Sequence, residues 1–141
     1  MSTNYFITGV SFGIGRELVK RLVVNGDRVF GIARTREALE QLQQEVGDQQ
    51  FCYADFDVGD LTRDTKELLN QIEKKGFFPD TVILNAAINI SDLSPHFDFH
   101  AFKEVIETNV YGVVRWGDLF LRAFLQRKKG HFIVVSSFSA Y

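Results

Sequence analysis

Apolar positions along this chain alternate between two rhythms. Short runs that are nearly continuous in apolar or small residues occur at Tyr5–Ile7, Arg28–Ala33, Phe51–Phe56, Thr81–Leu84 and His131–Val135, the signature of strands covered on both faces. Between them, apolar residues recur every three or four positions. The first such segment carries Ile14, Leu18, Val19, Leu22 and Val23, and the second Ala38, Leu39, Leu42 and Val46. The third carries Leu61, Leu68, Leu69 and Ile72. The last runs from Phe99 to Arg127 with Phe102, Val105, Ile106, Val110, Val113, Val114, Phe120, Leu121 and Phe124. This period predicts helices with an inward stripe, and the many phenylalanines read as core.

The punctuation agrees. Asn25-Gly26-Asp27 stops the first helix, Thr35 stands where it can cap the second, and Gly47-Asp48 ends it. Asp60-Leu61-Thr62 opens the third helix and Lys74-Lys75-Gly76 closes it, while Pro79-Asp80 breaks the chain before the fourth strand. Asn89–Pro95 is a polar connection, and Gly130 ends the long helix. Gly112 and Gly117 each weaken that helix by about 1 kcal/mol relative to alanine, so they are expected to mark close contacts.

Strands alternating with helices require right-handed crossovers and a parallel sheet, so the fold class is α/β, doubly wound, in one domain spanning 1–141. Ligands of such sheets sit beyond the carboxyl ends of the strands. The residues to read are therefore Thr8-Gly9, Ala33-Arg34, Asp57-Val58, Asn85-Ala86-Ala87 and Ser136-Ser137.

The first of these ends leads into Thr8-Gly9-Val10-Ser11-Phe12-Gly13-Ile14-Gly15, a strand feeding a glycine-rich turn and then a helix. That arrangement leaves the first helical amides unpaired at the positive end of the helix dipole, which suits a phosphate or pyrophosphate. Glycine keeps the turn tight and lets an anion reach the backbone, and Ser11 adds a hydroxyl donor. The rival reading is a tight turn with no ligand. Arg34 follows Gly15 by nineteen residues, about where dinucleotide folds meet the adenosine ribose. Ala33 and Arg34 offer no acid to a ribose 2′-hydroxyl, whereas a guanidinium forks onto a 2′-phosphate, so NADP(H) is expected over NAD(H). Arg36 can assist. Asp57 reads either as an acceptor for the adenine amino group or as a turn aspartate. Asn109, inside the long helix, is poorly placed for helicity and reads as placed for its amide. Ser136 and Ser137 emerge where the fifth strand ends.

Bulk properties narrow the classes. At 141 residues with net charge −2, the chain has no electrostatic footprint for nucleic acid or an anionic membrane. Cys52 is a single cysteine, which excludes an internal disulfide, and no apolar run approaches the ~20 residues that span a bilayer. A cytoplasmic protein is expected. Asp55, Asp57 and Asp60 lack a second acidic cluster, so no metal site is assigned, and His96, His100 and His131 receive no role.

These motifs resemble the short-chain dehydrogenase/reductase family. Thr8 to Gly15 fits its Thr-Gly-x-x-x-Gly-x-Gly cofactor motif, and Asp57-Val58 fits its Asp-Val after the third strand. Asn85-Ala86-Ala87 resembles its Asn-Asn-Ala-Gly, with Leu84 in place of the first asparagine and Ala87 in place of the glycine. Thr108-Asn109-Val110-Tyr111-Gly112 matches the segment of the helical active-site asparagine, and Ser136-Ser137-Phe138-Ser139-Ala140 resembles Ser-Ser-x-Ala-Gly. The resemblance implies a Rossmann-like sheet in the order 3-2-1-4-5, incomplete at the C-terminus. It implies a cofactor site made of Thr8, Gly9, Ser11, Phe12, Gly13, Ile14, Gly15, Arg34, Asp57, Val58, Asn85, Ala86 and Ala87. Ser137 and Asn109 are the implied catalytic residues, acting on a small carbonyl or alcohol, and the helix 99–127 is an implied homo-oligomer interface.

The family's Tyr-x-x-x-Lys is absent: Tyr141 comes four residues after Ser137, with no lysine beyond. The chain is therefore expected to continue past residue 141 in the complete protein, and to turn over little alone. Its fifth strand is expected to be an unprotected edge. A receiver domain is excluded because Ile7-Thr8-Gly9 lacks the required acids, and a P-loop NTPase because no Gly-Lys-Ser/Thr follows the glycines. A non-catalytic dinucleotide-binding or interaction module is the remaining alternative.

Overall fold

The computed structural model describes residues 2–89 and 96–137. The predicted connection Asn89–Pro95 lies almost wholly outside the described residues, as do Phe138, Ser139, Ala140 and Tyr141. In chain order the elements are β1 (Asn4–Thr8), α1 (Gly13–Val24), β2 (Arg28–Ala33), α2 (Arg36–Val46), β3 (Phe51–Asp55), α3 (Thr65–Lys74), β4 (Thr81–Leu84), α4 (Phe99–Ile106), a π-helical turn (Glu107–Tyr111), α5 (Gly112–Arg127) and β5 (His131–Val134). The sheet is parallel throughout, in the order β3-β2-β1-β4-β5, as the motifs imply.

The period-2 geometry of the strands divides the core into two layers. Phe6, Phe30, Ile32, Val82 and Leu84 face Leu68 and Ile72 of α3 and Trp116, Phe120 and Phe124 of α5. Their neighbours Ile7, Val29, Ala33 and Ile83 face Val19 and Val23 of α1 and Leu39 and Leu42 of α2. Phe6 is central to the first layer, its ring 5.0 Å from Trp116 and 4.7 Å from Phe120. Each such pair contributes about 0.5–1.5 kcal/mol beyond area burial.

Five expectations are corrected. Helix α3 begins at Thr65 rather than at Asp60, because the Asp60 carboxylate closes a local turn on the Thr62 amide (3.0 Å) and hydroxyl (2.6 Å). The Thr62 hydroxyl and amide hold the Asp60 carboxyl below the usual carboxylate range. Asp64 is the true cap, accepting from the Lys66 amide at 2.8 Å, and Leu61 is exposed instead of inward. Thr35 does precede α2, yet its hydroxyl makes no capping bond. The long helix 99–127 is interrupted by the π turn, and its inward row is Thr108, Gly112, Trp116, Phe120 and Phe124, every fourth residue. Gly112 lies against Val58 as expected, but Gly117 has no neighbour that a Cβ would meet. Finally, the phenylalanines are not all core: Phe12, Phe78, Phe97, Phe99 and Phe102 are exposed.

No helix of the described residues is long and apolar enough to cross a membrane.

Candidate functional site

The carboxyl end of β1 is bolted in place before the turn begins. The Gly9 and Val10 amides both donate to the Ile32 carbonyl of β2, at 2.8 and 3.4 Å, so the amides available to an anion start at Ser11. Phe12 is the N-cap of α1 in extended conformation and supplies no side-chain cap, which leaves the first-turn amides without intrahelical partners. Glycine is required at two positions by contact. A Cβ on Gly15 would run into the Gly9 carbonyl and lie 2.7 Å from Asn85 Nδ2. A Cβ on Gly9, whose φ is +76°, would lie 2.7 Å from Ala86 Cα. The turn, the start of α1 and the end of β4 are thus in backbone contact. Gly13 also takes a left-handed φ, and Ile14 is exposed beside it.

The end of β4 is held by a side-chain clasp. The buried Thr8 hydroxyl accepts from the Asn85 and Ala86 amides at 3.0 and 2.9 Å, while Asn85 Nδ2 donates to the Thr8 and Gly9 carbonyls at 3.2 and 3.1 Å. Ala87 has no left-handed φ, so alanine is accommodated there without backbone strain. Leu84 has joined the core, packed in the same layer as Trp116, whose indole N–H is buried without an acceptor among the described residues.

These ends surround a cleft of ≈ 240 Å³. It is lined from the turn by Gly9, Ser11 and Phe12, from β2 by Ile32, Ala33 and Arg34, and from beyond β3 by Phe56, Asp57 and Val58. Asn85, Ala86, Ala87, Ile88 and Thr108 complete it. Arg34 and Asp57 are the only ionisable side chains among these. Asp57 Oδ1 accepts from the Gly59 amide at 2.8 Å, so this residue shapes a turn and also faces the cleft. Arg34 is held by no carboxylate or carbonyl among the described residues, in contrast to Arg36, which is paired with Glu40 at 2.9 Å and lies outside the cleft lining.

Asn109 sits in the π turn, and its amide is spent on one peptide neighbour. Its Oδ1 accepts from the Ile88 amide and its Nδ2 donates to the Ile88 carbonyl, both at 2.8 Å. It therefore reaches the cleft through Ile88. Ser136 and Ser137 follow β5, exposed, and are not brought into the cleft lining. Sequence reading missed Ile88, because its contribution is a backbone pair that no residue type advertises. It also missed Gly59, where a Cβ would lie 2.6 Å from Thr108 Oγ1. No group of three His, Cys, Asp or Glu among the described residues is placed to hold a metal. The arrangement can bind an anion on amides beside an unpaired guanidinium. Among the described residues its lining holds no histidine, tyrosine or lysine to move a proton.

A family model described as short chain dehydrogenase matches residues 3–141. An NADPH-dependent pterin aldehyde reductase of Arabidopsis thaliana is 34% identical over 138 residues, covering 93% of this chain and 54% of its own. A benzil reductase of Saccharomyces cerevisiae is 32% identical over 115 residues, 77% of this chain and 43% of its own. Among solved structures, a short chain dehydrogenase from Bacillus anthracis superposes with a TM-score of 0.86 at 27% identity, covering 99% of this chain and 58% of that one. The chain spans about half the length of the curated relatives it matches.

Proposed function

This chain belongs to the short-chain dehydrogenase family, and from that premise we propose that it is the cofactor-binding part of an NADP(H)-preferring oxidoreductase acting on a small carbonyl or alcohol. The observation that carries the reading is the unpaired Arg34 in one cleft with an uncapped helix start. The residues fit a dinucleotide. Amides from Ser11 to Gly15 take the pyrophosphate, Asp57 keeps one oxygen for the adenine amino group, and Val58, Asn85, Ala86 and Ala87 flank the adenosine and ribose. Thr8, with its hydroxyl spent on the β4 end, positions rather than binds. NADP(H), when bound, supplies hydride donor and acceptor chemistry.

In this reading Ser137 donates a hydrogen bond to the reacting oxygen, and Asn109 fixes the Ile88 peptide that borders the cleft. The proton-transfer pair lies outside the 141 residues, which agrees with relatives about twice as long. The domain then continues past residue 141, and the 141 residues alone turn over little. The reading includes a cytoplasmic location and a homo-oligomer. The latter is supported by an outward apolar row along α4, the π turn and α5 (Phe99, Phe102, Val110, Val114, Leu121, Leu125), and light scattering tests it.

Titration of the full-length protein with NADPH and NADH tests the assignment. The parent is expected to favour NADPH, and Arg34→Asp to lose about 10–100-fold in NADPH affinity with little change for NADH. Equal affinities in the parent remove the preference, and binding of neither cofactor removes the function.

A further inference from the structure

Arg16 occupies the first turn of α1, where a cation opposes the helix dipole and where no acidic residue offsets it. Its side chain is nevertheless only 19% exposed, against 74% for Arg21 one turn further along. Three segments converge on it. One terminal nitrogen donates to the Ser11 carbonyl at 3.4 Å and to the Ala38 carbonyl of α2 at 3.2 Å. The other pairs with Glu45, which also receives Lys20 at 2.6 Å.

We infer that Arg16 is a positioning residue of the anion cradle, holding the Ser11–Phe12 peptide so that its amide faces the bound phosphate. In a trans peptide the carbonyl and the following N–H point in opposite directions, and the described chain contains no cis bonds. Drawing the Ser11 oxygen toward Arg16, on the α2 side, therefore turns the Phe12 N–H to the other side, where Ser11 and Phe12 line the cleft. The same contact keeps a carbonyl oxygen from facing an incoming anion. Glu45 pairs with the far nitrogen of the guanidinium and with Lys20, away from the Ser11 contact, and the trio together keeps one positive charge behind the loop.

The inference rests on the cofactor reading above, so its test must separate the two. In the full-length protein, NADPH and NADH binding is followed by reduced-nicotinamide fluorescence for the parent, Arg16→Met, Arg16→Lys and Glu45→Gln, with a melting curve for each. Arg16→Met is expected to weaken both cofactors by the same factor, about tenfold, because the pyrophosphate is common to them. Arg16→Lys, keeping the charge and one donor, is expected to recover part of that loss. Glu45→Gln should bind within about twofold of the parent, since the Ser11 contact survives it. Parent-like binding by Arg16→Met overturns the inference and leaves the cofactor reading standing. Equal losses in Glu45→Gln and Arg16→Met also overturn it, because Arg16 would then act only as a staple between helices. Should Arg16→Met not melt cooperatively, Arg16→Lys decides: a partial loss shared by both cofactors supports the inference, and no loss overturns it. A parent that binds neither cofactor removes both readings together.

Discussion

The β1–β2 side of the sheet and the β5 edge deliver residues to the same rim with very different support. Five of the six residues of β2 are buried, and its carbonyl at Ile32 closes the glycine turn. In β5 no residue is buried, Val134 is more than half exposed, and Ser136 and Ser137 beyond it are exposed as well. The difference follows from how each site is assembled. The cradle uses backbone atoms from one continuous stretch packed between neighbours already in place. At the other part of the rim Asn109 and Ile88 come from distant segments, Ser136 and Ser137 are exposed, and among the described residues β5 pairs with β4 alone. The cradle is thus assembled wholly from the described residues, and the proposed cofactor reading rests on it.

The sharpest challenge to that contrast is Gly15→Val. With the Gly9 carbonyl and Asn85 in its way, the side chain should cost more than ~3 kcal/mol in denaturant unfolding and abolish measurable cofactor binding. A variant that unfolds like the parent would show that the turn has slack the contacts do not. Next in size is a matched pair. Ile32→Ala in β2 should cost about 3 kcal/mol, and Val134→Ala in β5 less than about 1 kcal/mol. Equal costs would mean that β5 is covered in the folded protein.

The last effect concerns the other end of the sheet, where Asp80 ties the two sides together. Its carboxylate takes Lys129 at 2.8 Å and the Asn4 amide at 3.2 Å, with Arg127 nearby. The Lys129 hydrogen bond, chiefly, holds its carboxyl below the usual range. A depressed folded value means the stabilisation is present above the unfolded value near ~4 and is lost as pH falls through the folded one. Asp80→Asn should therefore cost about 1 kcal/mol at neutral pH and progressively less below about pH 4. A cost that does not change with pH would contradict the ion-pair account.

Much of this was legible in the residues, for identifiable reasons. Strands buried on both faces and stripes at helical spacing announce themselves, so the strands and helices between Asn4 and Val134, the start of α3 and the π turn apart, are located to within a few residues. The misplacement of α3 arose from competition: Asp60-Leu61-Thr62 and Asp64 carry the same capping chemistry, and only the second leads into buried residues at Thr65 and Leu68. The π turn was not legible, because one extra residue per turn barely disturbs an apolar period. Its purpose shows only in the Asn109–Ile88 pairing. At the site, residue types marked the glycines, Arg34 and Asp57. Contributions made by peptide groups, such as Ile88 and the Ile32 carbonyl, leave no trace in side-chain identity.

The central claim, that amides from Ser11 to Gly15 seat the cofactor's pyrophosphate, is tested most directly by an amide NMR titration of the isotopically labelled protein with NADPH. The account predicts that the largest shifts fall on Ser11, Phe12, Gly13, Ile14 and Gly15, with Arg34 responding to NADPH and not to NADH. Shifts confined to other parts of the rim, with these five amides unmoved, would contradict it.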